Sequence, residues 1–110
     1  MSQFYVNKIN KMYIVNWNCG GLASKRRDVE LLSANADIIC IAETKFNNRS
    51  TSMNIKNFLF IRKDSSNQNY SGGLLTLIRK DIKFNRIYLH NVDENIEYTA
   101  IKIRLNQEEI

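Results

Sequence analysis

The chain has 110 residues, of which 44% are hydrophobic and 25% charged, a composition typical of one globular domain. It contains no apolar run long enough to span a bilayer and no basic-then-apolar leader, so we expect an intracellular protein without a signal peptide or transmembrane segment. The formal charge of +5 fits a polyanionic partner such as nucleic acid, and a solvated basic face is an equally good explanation.

The first half of the chain predicts a strand, a helix and a second strand. Residues 1–11 are polar without clear periodicity, and we expect them to be disordered or loosely ordered ahead of a domain spanning residues 12–110. Residues 12–18 alternate and are rich in β-formers, which predicts a strand. Residues 37–42 are nearly continuously apolar, as in a strand that is covered on both faces.

The helix is predicted over about residues 25–34. Ser24 is placed to cap its first turn, and Asn35 suits the left-handed residue that ends many helices. Because a strand–helix–strand order usually makes two parallel neighbouring strands, we expect a βαβ unit.

Four further segments follow, separated by polar loops, and predict strands at residues 58–61, 73–78, 84–89 and 96–105. In the last of these, Ile101 and Ile103 share one face and Lys102 and Arg104 the other. The fold class is therefore α/β or α+β, with a mixed sheet and one early helix.

Two cysteines, Cys19 and Cys40, lie at or near predicted strands without a CxxC pattern or a paired histidine. We expect both to be buried free thiols; a zinc site and a disulfide between them are disfavoured.

Each of the first two strands ends in a polar motif, namely Trp17-Asn18-Cys19-Gly20-Gly21-Leu22 and Ala42-Glu43-Thr44-Lys45. The carboxyl ends of neighbouring parallel strands meet at one sheet edge, so Asn18 and Glu43 should lie close together. An amide and a carboxylate presented together suit a hard cation such as Mg²⁺. The alternatives are a turn-capping amide and a solvated carboxylate.

These motifs, with two later ones, resemble the start of an endonuclease/exonuclease/phosphatase domain, and most closely the endonuclease domains of non-LTR retrotransposons and apurinic/apyrimidinic endonucleases. The resemblance covers roughly residues 12–105. The matching residues are Trp17-Asn18-x-x-Gly21-Leu22, Asp37-Ile38-Ile39-x-Ile41-x-Glu43-Thr44-Lys45, Tyr70-Ser71-Gly72-Gly73-Leu74-Leu75 and Glu97-Tyr98-Thr99-Ala100-Ile101.

The resemblance implies the N-terminal half of a four-layer α/β sandwich of the DNase I-like type and Mg²⁺-dependent phosphodiester hydrolysis on DNA, with Mn²⁺ as a substitute ion. It implies that Glu43 and Asn18 are catalytic and metal-site residues, Glu43 as a ligand and Asn18 beside the metal. Tyr70 and Lys45 are the candidate nucleic-acid contacts, and a tyrosine packed on the sheet is an equal alternative for Tyr70.

Two departures from the family pattern affect function. Gly20 stands where many relatives carry Asp or Asn, and the later Asp-x-Asn and Ser-Asp-His motifs have no counterpart; the only histidine is His90. We therefore expect the chain to be inactive by itself and to self-associate through an exposed sheet face. The alternatives are a non-catalytic relic of a mobile-element gene that binds nucleic acid weakly, and a phosphatase of the same superfamily. A nuclear location would follow from a DNA substrate.

Overall fold

One helix and seven strands make up the secondary structure of the residues described by the structure, a computed structural model covering residues 4–9, 11–47, 50, 53–65, 71–93 and 95–104. In chain order they are β1 (Phe4–Ile9), β2 (Met12–Asn18), α1 (Arg26–Ser33), β3 (Ile38–Ala42), β4 (Phe58–Lys63), β5 (Leu74–Arg79), β6 (Phe84–Ile87) and β7 (Ala100–Ile103).

Five strands form one mixed sheet in the order β1-β2-β3-β5-β4, and β6 and β7 form a separate antiparallel pair. Within the larger sheet, β2 and β3 are parallel, with Ile14 opposite Ile38 and Asn18 opposite Ala42. The other pairings are antiparallel. The predicted βαβ unit is therefore confirmed, and the fold is an α+β domain with a mixed sheet.

The helix α1 covers one face of this sheet. Val29 is fully buried and packs in a cluster with side chains that alternate inward from β2, β3 and β5; that cluster includes Val15, Trp17, Ile39, Ile41, Leu75 and Leu77. Burying an aliphatic side chain of this size contributes about 1.5–3 kcal/mol, so this face supplies much of the stability. No helix in the part of the chain that the structure describes is long and apolar enough to cross a membrane.

The β6–β7 pair covers part of the opposite face. Phe84, Ile101 and Ile103 pack against the second apolar cluster, formed by Ile38, Ile61 and Ile78. A hydrogen bond of 3.0 Å between the hydroxyls of Thr76 and Thr99 joins the two layers. The predicted separation of Ile101 and Ile103 from Lys102 and Arg104 onto opposite faces is confirmed, and the structure shows that the isoleucines point inward.

Asp37 ties three strands together at the beginning of β3. Its carboxylate accepts hydrogen bonds from the backbone N–H of Tyr13 (2.8 Å) and from Arg79 Nε (3.2 Å). The Arg79 guanidinium also donates to the carbonyl of Ala36 and lies 5.1 Å from the centre of the Phe58 ring. This half-exposed ion pair therefore links β2, β3, β5 and β4 at the end of the sheet opposite to the strand-end motifs.

The structure differs from the sequence prediction at the N-terminus. Residues 4–9, predicted to be loosely ordered, form β1, which pairs with β2 through a turn in which Lys11 has φ 65°. Every residue of β1 is exposed, so the strand has no buried side to create periodicity in the sequence. Its order comes from the backbone ladder with β2, which side-chain patterns do not reveal.

The ends of α1 also differ from prediction. The residue before its first turn is Lys25, and no side chain caps that turn, so the predicted capping role of Ser24 is wrong. Asn35 does not have the positive φ expected of it. The last strand is shorter than predicted: it begins at Ala100, and ahead of it the Glu97 side chain bonds the N–H of Gly73 and the Thr99 hydroxyl bonds that of Thr76.

Candidate functional site

Asn18 and Glu43 lie at neighbouring strand ends, as predicted. Asn18 is the last residue of β2 and pairs with Ala42, the last residue of β3; Glu43 follows directly. Both residues are exposed. The geometry therefore presents an amide and a carboxylate at one edge of the sheet, while their role in a site stays a prediction.

The loops after β2 and β3 are joined by backbone hydrogen bonds beyond the ends of both strands. The N–H of Cys19 donates to the carbonyl of Ala42 (3.1 Å), that of Gly21 to Glu43 (2.8 Å), and that of Leu22 to Thr44 (2.9 Å). The backbone that carries Glu43 is thus held against the glycine-rich loop that carries Asn18. A binding site benefits from this arrangement, because groups that are fixed before the ligand binds lose little conformational entropy on binding.

Glu43 and Lys45 adopt left-handed backbone conformations, each with φ 57°. This region is uncommon for residues other than glycine and costs on the order of 1–3 kcal/mol when the surroundings impose it. Strain of this kind concentrates at functional sites, and here it falls on two of the four candidate residues. The turn at Glu43 also breaks the strand alternation, which would otherwise direct its side chain toward the α1 face.

A third loop, Gly72–Gly73, completes this edge. The N–H of Lys45 donates to the carbonyl of Gly72 (2.8 Å) and that of Thr44 to Gly73 (3.3 Å). From the other side, Glu97 accepts a hydrogen bond from the N–H of Gly73 (3.0 Å). The Gly72–Gly73 loop, which lies outside the βαβ unit, therefore holds the Glu43 loop in place. Glu97 in turn holds the Gly72–Gly73 loop.

Gly73, with φ 104°, is required by its surroundings, whereas a side chain at Gly72 would displace the end of the Glu97 side chain. A Cβ on Gly73 would come within 2.3 Å of the Thr44 hydroxyl, and one on Gly72 within 2.5 Å of Glu97 Oε1. Gly72, Gly73 and Glu97 belong to the motifs that resemble the endonuclease family, but the sequence by itself assigns them no role. Because Glu97 is 24 residues away from Gly73, only the folded chain shows that they are bonded.

A cavity of about 550 Å³ opens between the two layers of strands and includes Asn18. Its polar walls also carry Asn16, Thr76, Tyr98 and Thr99. Ala42 lines the cavity, but Glu43 does not. Asn18 therefore borders this cavity, whereas Glu43 lies outside it, directly after the end of β3.

The side chain of Cys19 contacts the backbone of the loop that carries Glu43. Its thiol is buried and donates weakly to the carbonyls of Ala42 and Glu43, each at 3.5 Å. Burial raises the pKa of this thiol, and burial also raises that of Cys40. Both cysteines are free, as predicted, and a protonated thiol is a poor metal ligand.

Lys25 closes the glycine loop from the helix side. Its ammonium donates to the carbonyl of Cys19 and lies 5.9 Å from the centre of the Trp17 ring. The Lys25 ammonium is therefore already bound to the glycine-rich loop. Lys45, which is exposed, is the more accessible lysine at this edge. The Lys45 stem passes over Gly21, at 3.7 Å from where a Cβ would stand, which places the residue beside the Asn18 loop.

The donor set at this edge consists of hard oxygen atoms, from the carboxylate of Glu43 and the amide of Asn18. Across the described residues there is no group of three or more Asp, Glu, His or Cys side chains that could hold a metal. Gly20, with φ 61° and open space around it, contributes no donor. This set suits Mg²⁺ only if water and a substrate phosphate supply most of its ligands. Tyr70 lies outside the described residues.

Comparisons with known proteins do not add to this geometry: no family model, curated protein or solved structure matches the chain.

Proposed function

We propose that the chain supplies part of the active site of a Mg²⁺-dependent endonuclease that hydrolyses DNA phosphodiester bonds, within a fold of the endonuclease/exonuclease/phosphatase type. One observation carries this proposal: Asn18 ends β2 and Glu43 directly follows β3, two parallel neighbouring strands whose outgoing loops are joined by three backbone hydrogen bonds. The residues of the two motifs resemble those of retrotransposon endonucleases, which favours DNA as the substrate over the lipid or sugar phosphates of the superfamily's phosphatases.

In this proposal Glu43 binds the cation and Asn18 hydrogen-bonds to the substrate phosphate or to a water beside the ion. Mg²⁺, or Mn²⁺ in its place, would polarise the phosphoryl oxygen and neutralise the leaving alkoxide. Lys45, exposed on the same edge, pairs with a neighbouring phosphate.

Among the described residues, this edge presents no positioned general base. Activation of water needs a proton acceptor within hydrogen-bond reach. His90, the only histidine, lies on an exposed loop after β6 rather than on the three loops that meet at the edge. We therefore propose that the chain does not cleave DNA alone and that the base and further carboxylates come from additional sequence.

Nicking of supercoiled plasmid in Mg²⁺ tests this proposal. The purified chain should show no activity above background. Adding a C-terminal half of an active family endonuclease, with its Asp-x-Asn and Ser-Asp-His motifs, should produce nicking that Glu43→Gln abolishes. Glu30→Gln is the matched control, because Glu30 lies on α1 in an exposed pair with Arg26 and should be dispensable. Nicking by the chain alone that Glu43→Gln removes would show that no external base is needed.

Cation binding gives a readout that needs no cleavage. Mn²⁺ titration followed by electron paramagnetic resonance should show weak binding that Glu43→Gln removes and Glu30→Gln leaves unchanged. Equal binding by all three proteins would remove Glu43 as a ligand. The non-catalytic alternative, a relic that only binds nucleic acid, would then be favoured, since the described residues offer no other metal cluster.

The proposal also includes self-association through an exposed sheet face. Beside α1, the face of the sheet at β1 and β2 is open and forms an apolar groove of about 880 Å³, whose walls include Phe4, Val6, Tyr13 and Leu31. These four side chains are 41–63% exposed. Exposed apolar surface of this kind favours association between chains, especially next to β1, an edge strand that pairs with β2 on one side and has none of the described strands on the other. DNA as the substrate implies an intracellular, nuclear site of action.

A further inference from the structure

The β6–β7 pair carries a row of cations on the face that points away from the larger sheet. Phe84, Ile101 and Ile103 point inward and pack against the sheet. Side chains alternate along a strand, so the intervening residues point outward. The exposed members of this outward set are Lys83, Asn85, Lys102 and Arg104, which we call the basic ribbon; Ile87 and Ala100, the next pair on the same face, are partly buried.

Two of these cations stand directly opposite each other. The N–H of Arg104 donates to the carbonyl of Lys83 (2.9 Å), which extends the β6–β7 register by one pair, and Lys102 faces Asn85. Like charges directly opposite on a sheet face are destabilising. Lys102 and Arg104, two residues apart on one strand, are separated by about 6.6 Å along it.

No acidic side chain forms an ion pair with the basic ribbon in the described part of the chain. The ion pairs found there are Arg26–Glu30, Arg62–Asp64 and Arg79–Asp37. The segments 83–88 and 100–104 contain four basic residues and no acidic one. The remaining cation, Arg86, stacks on the ring of Tyr88 at 5.2 Å. The repulsion within the ribbon is therefore not relieved by these contacts.

We propose that the basic ribbon is a docking surface for the phosphate backbone of DNA, separate from the Asn18–Glu43 edge. A row of cations at this spacing is complementary to successive phosphates along a nucleic-acid strand. Binding would relieve the repulsion between Lys83 and Arg104 and release the counterions of the contacted phosphates. The choice of DNA as the polyanion rests on the proposed function, whereas the surface itself does not.

An anionic membrane is the less fitting partner. Stable attachment to a bilayer combines basic residues with apolar side chains that enter the interface. Asn85, the residue that stands among the three cations, is polar. The apolar residues next to the ribbon on this face, Ile87 and Ala100, are partly buried, so the ribbon offers the charge that a phosphate backbone requires and little apolar surface for a bilayer.

Fluorescence anisotropy with a labelled 20-base-pair duplex in EDTA tests the proposal. Lys102→Gln/Arg104→Gln should weaken binding about 10- to 60-fold at 0.1 M salt and lower the slope of log affinity against log salt by about 1.8, the value for two lost phosphate contacts. Lys11→Gln/Arg27→Gln is the matched control, with the same loss of charge at exposed positions in the β1–β2 turn and on α1. Lys102→Arg, which keeps the charge, should bind as the parent chain does.

Three results would overturn the proposal. They are equal weakening by the control pair, no duplex binding by the parent chain, and a ribbon variant that loses binding to phosphatidylserine vesicles but not to DNA. If the ribbon variant lost its circular dichroism spectrum, Lys102→Glu alone would replace it, with the same expectation of direction. Because the assay contains no Mg²⁺, it measures ribbon binding without cleavage, and the cleavage test can therefore fail or succeed independently.

Discussion

Replacing Gly73 by alanine should destabilise the fold and disturb the loop that holds Glu43. Gly73 has φ 104°, which an L-residue rarely adopts, and its new Cβ would stand 2.3 Å from the Thr44 hydroxyl. Ordinary contacts begin at 3.4 Å, so one group must move by about 1 Å. Thr44 is 1% exposed, so its hydroxyl lies in the packed interior and not at the surface.

The magnitude follows from two terms. A left-handed backbone conformation costs an alanine about 1–2 kcal/mol, and overpacking of a filled site adds about 1–3 kcal/mol. The expected loss in the free energy of unfolding is therefore about 2–5 kcal/mol, against a total of about 5–15 kcal/mol for a domain. Gly20→Ala is the control: Gly20 has φ 61° with nothing within 4 Å of its Cβ, so only the backbone term, about 1–2 kcal/mol, applies.

Urea unfolding followed by circular dichroism measures both variants. A double-mutant cycle with Thr44→Ala isolates the clash, because this substitution removes the Thr44 hydroxyl. The Cβ of residue 44, which remains, would lie 3.6 Å from the new Cβ of residue 73, an ordinary contact distance. The cycle should show a favourable coupling of about 1–3 kcal/mol. If Gly73→Ala cost no more than Gly20→Ala, or if the coupling were absent, the close approach of Gly73 to Thr44 would be refuted.

Three further outcomes are expected. Asp37→Ala should lower the free energy of unfolding by about 2 kcal/mol, because the Tyr13 N–H and Arg79 lose a charged acceptor, and the urea midpoint should fall while Asp81→Ala in an exposed turn changes it little. Burial raises the pKa of Cys19 and Cys40 above 9.0, so the thiols ionise more readily in the unfolded chain than in the folded one. The free energy of unfolding should therefore fall as the pH rises above about 9. An equally steep fall in the free energy of unfolding of a Cys19→Ala/Cys40→Ala protein would contradict this. Val6→Lys on exposed β1 should reduce self-association in sedimentation velocity, whereas an unchanged profile would place the contact elsewhere.

The sequence was sufficient for the elements whose order comes from burial. Alternation along β2, the continuous apolar run of β3 and the single amphipathic helix between them predict the βαβ unit, because each pattern reports a face that must leave water. The same reasoning placed Asn18 and Glu43 at one sheet edge, since the right-handed crossover leaves little choice of topology.

The sequence failed where order comes from the backbone or from distant partners. Strand β1 is exposed throughout and is held by its ladder to β2, so its side chains carry no periodic signal. The start of α1 has no side-chain cap, and the neighbourhood of Lys25 is decided by its contacts with Cys19 and Trp17. Local propensity is a weak guide in such places, because tertiary contacts outweigh it.

What the sequence by itself determined is which residues could form a site and which strand ends would meet. Only the tertiary structure decided how the Glu43 loop is held: by Gly73 against Thr44, and by Glu97 against Gly73. It also decided that Lys83 stands opposite Arg104 and that both point away from the core. Such pairings join residues more than 20 positions apart, and their geometry exists only once burial of the apolar faces has set the register of the strands.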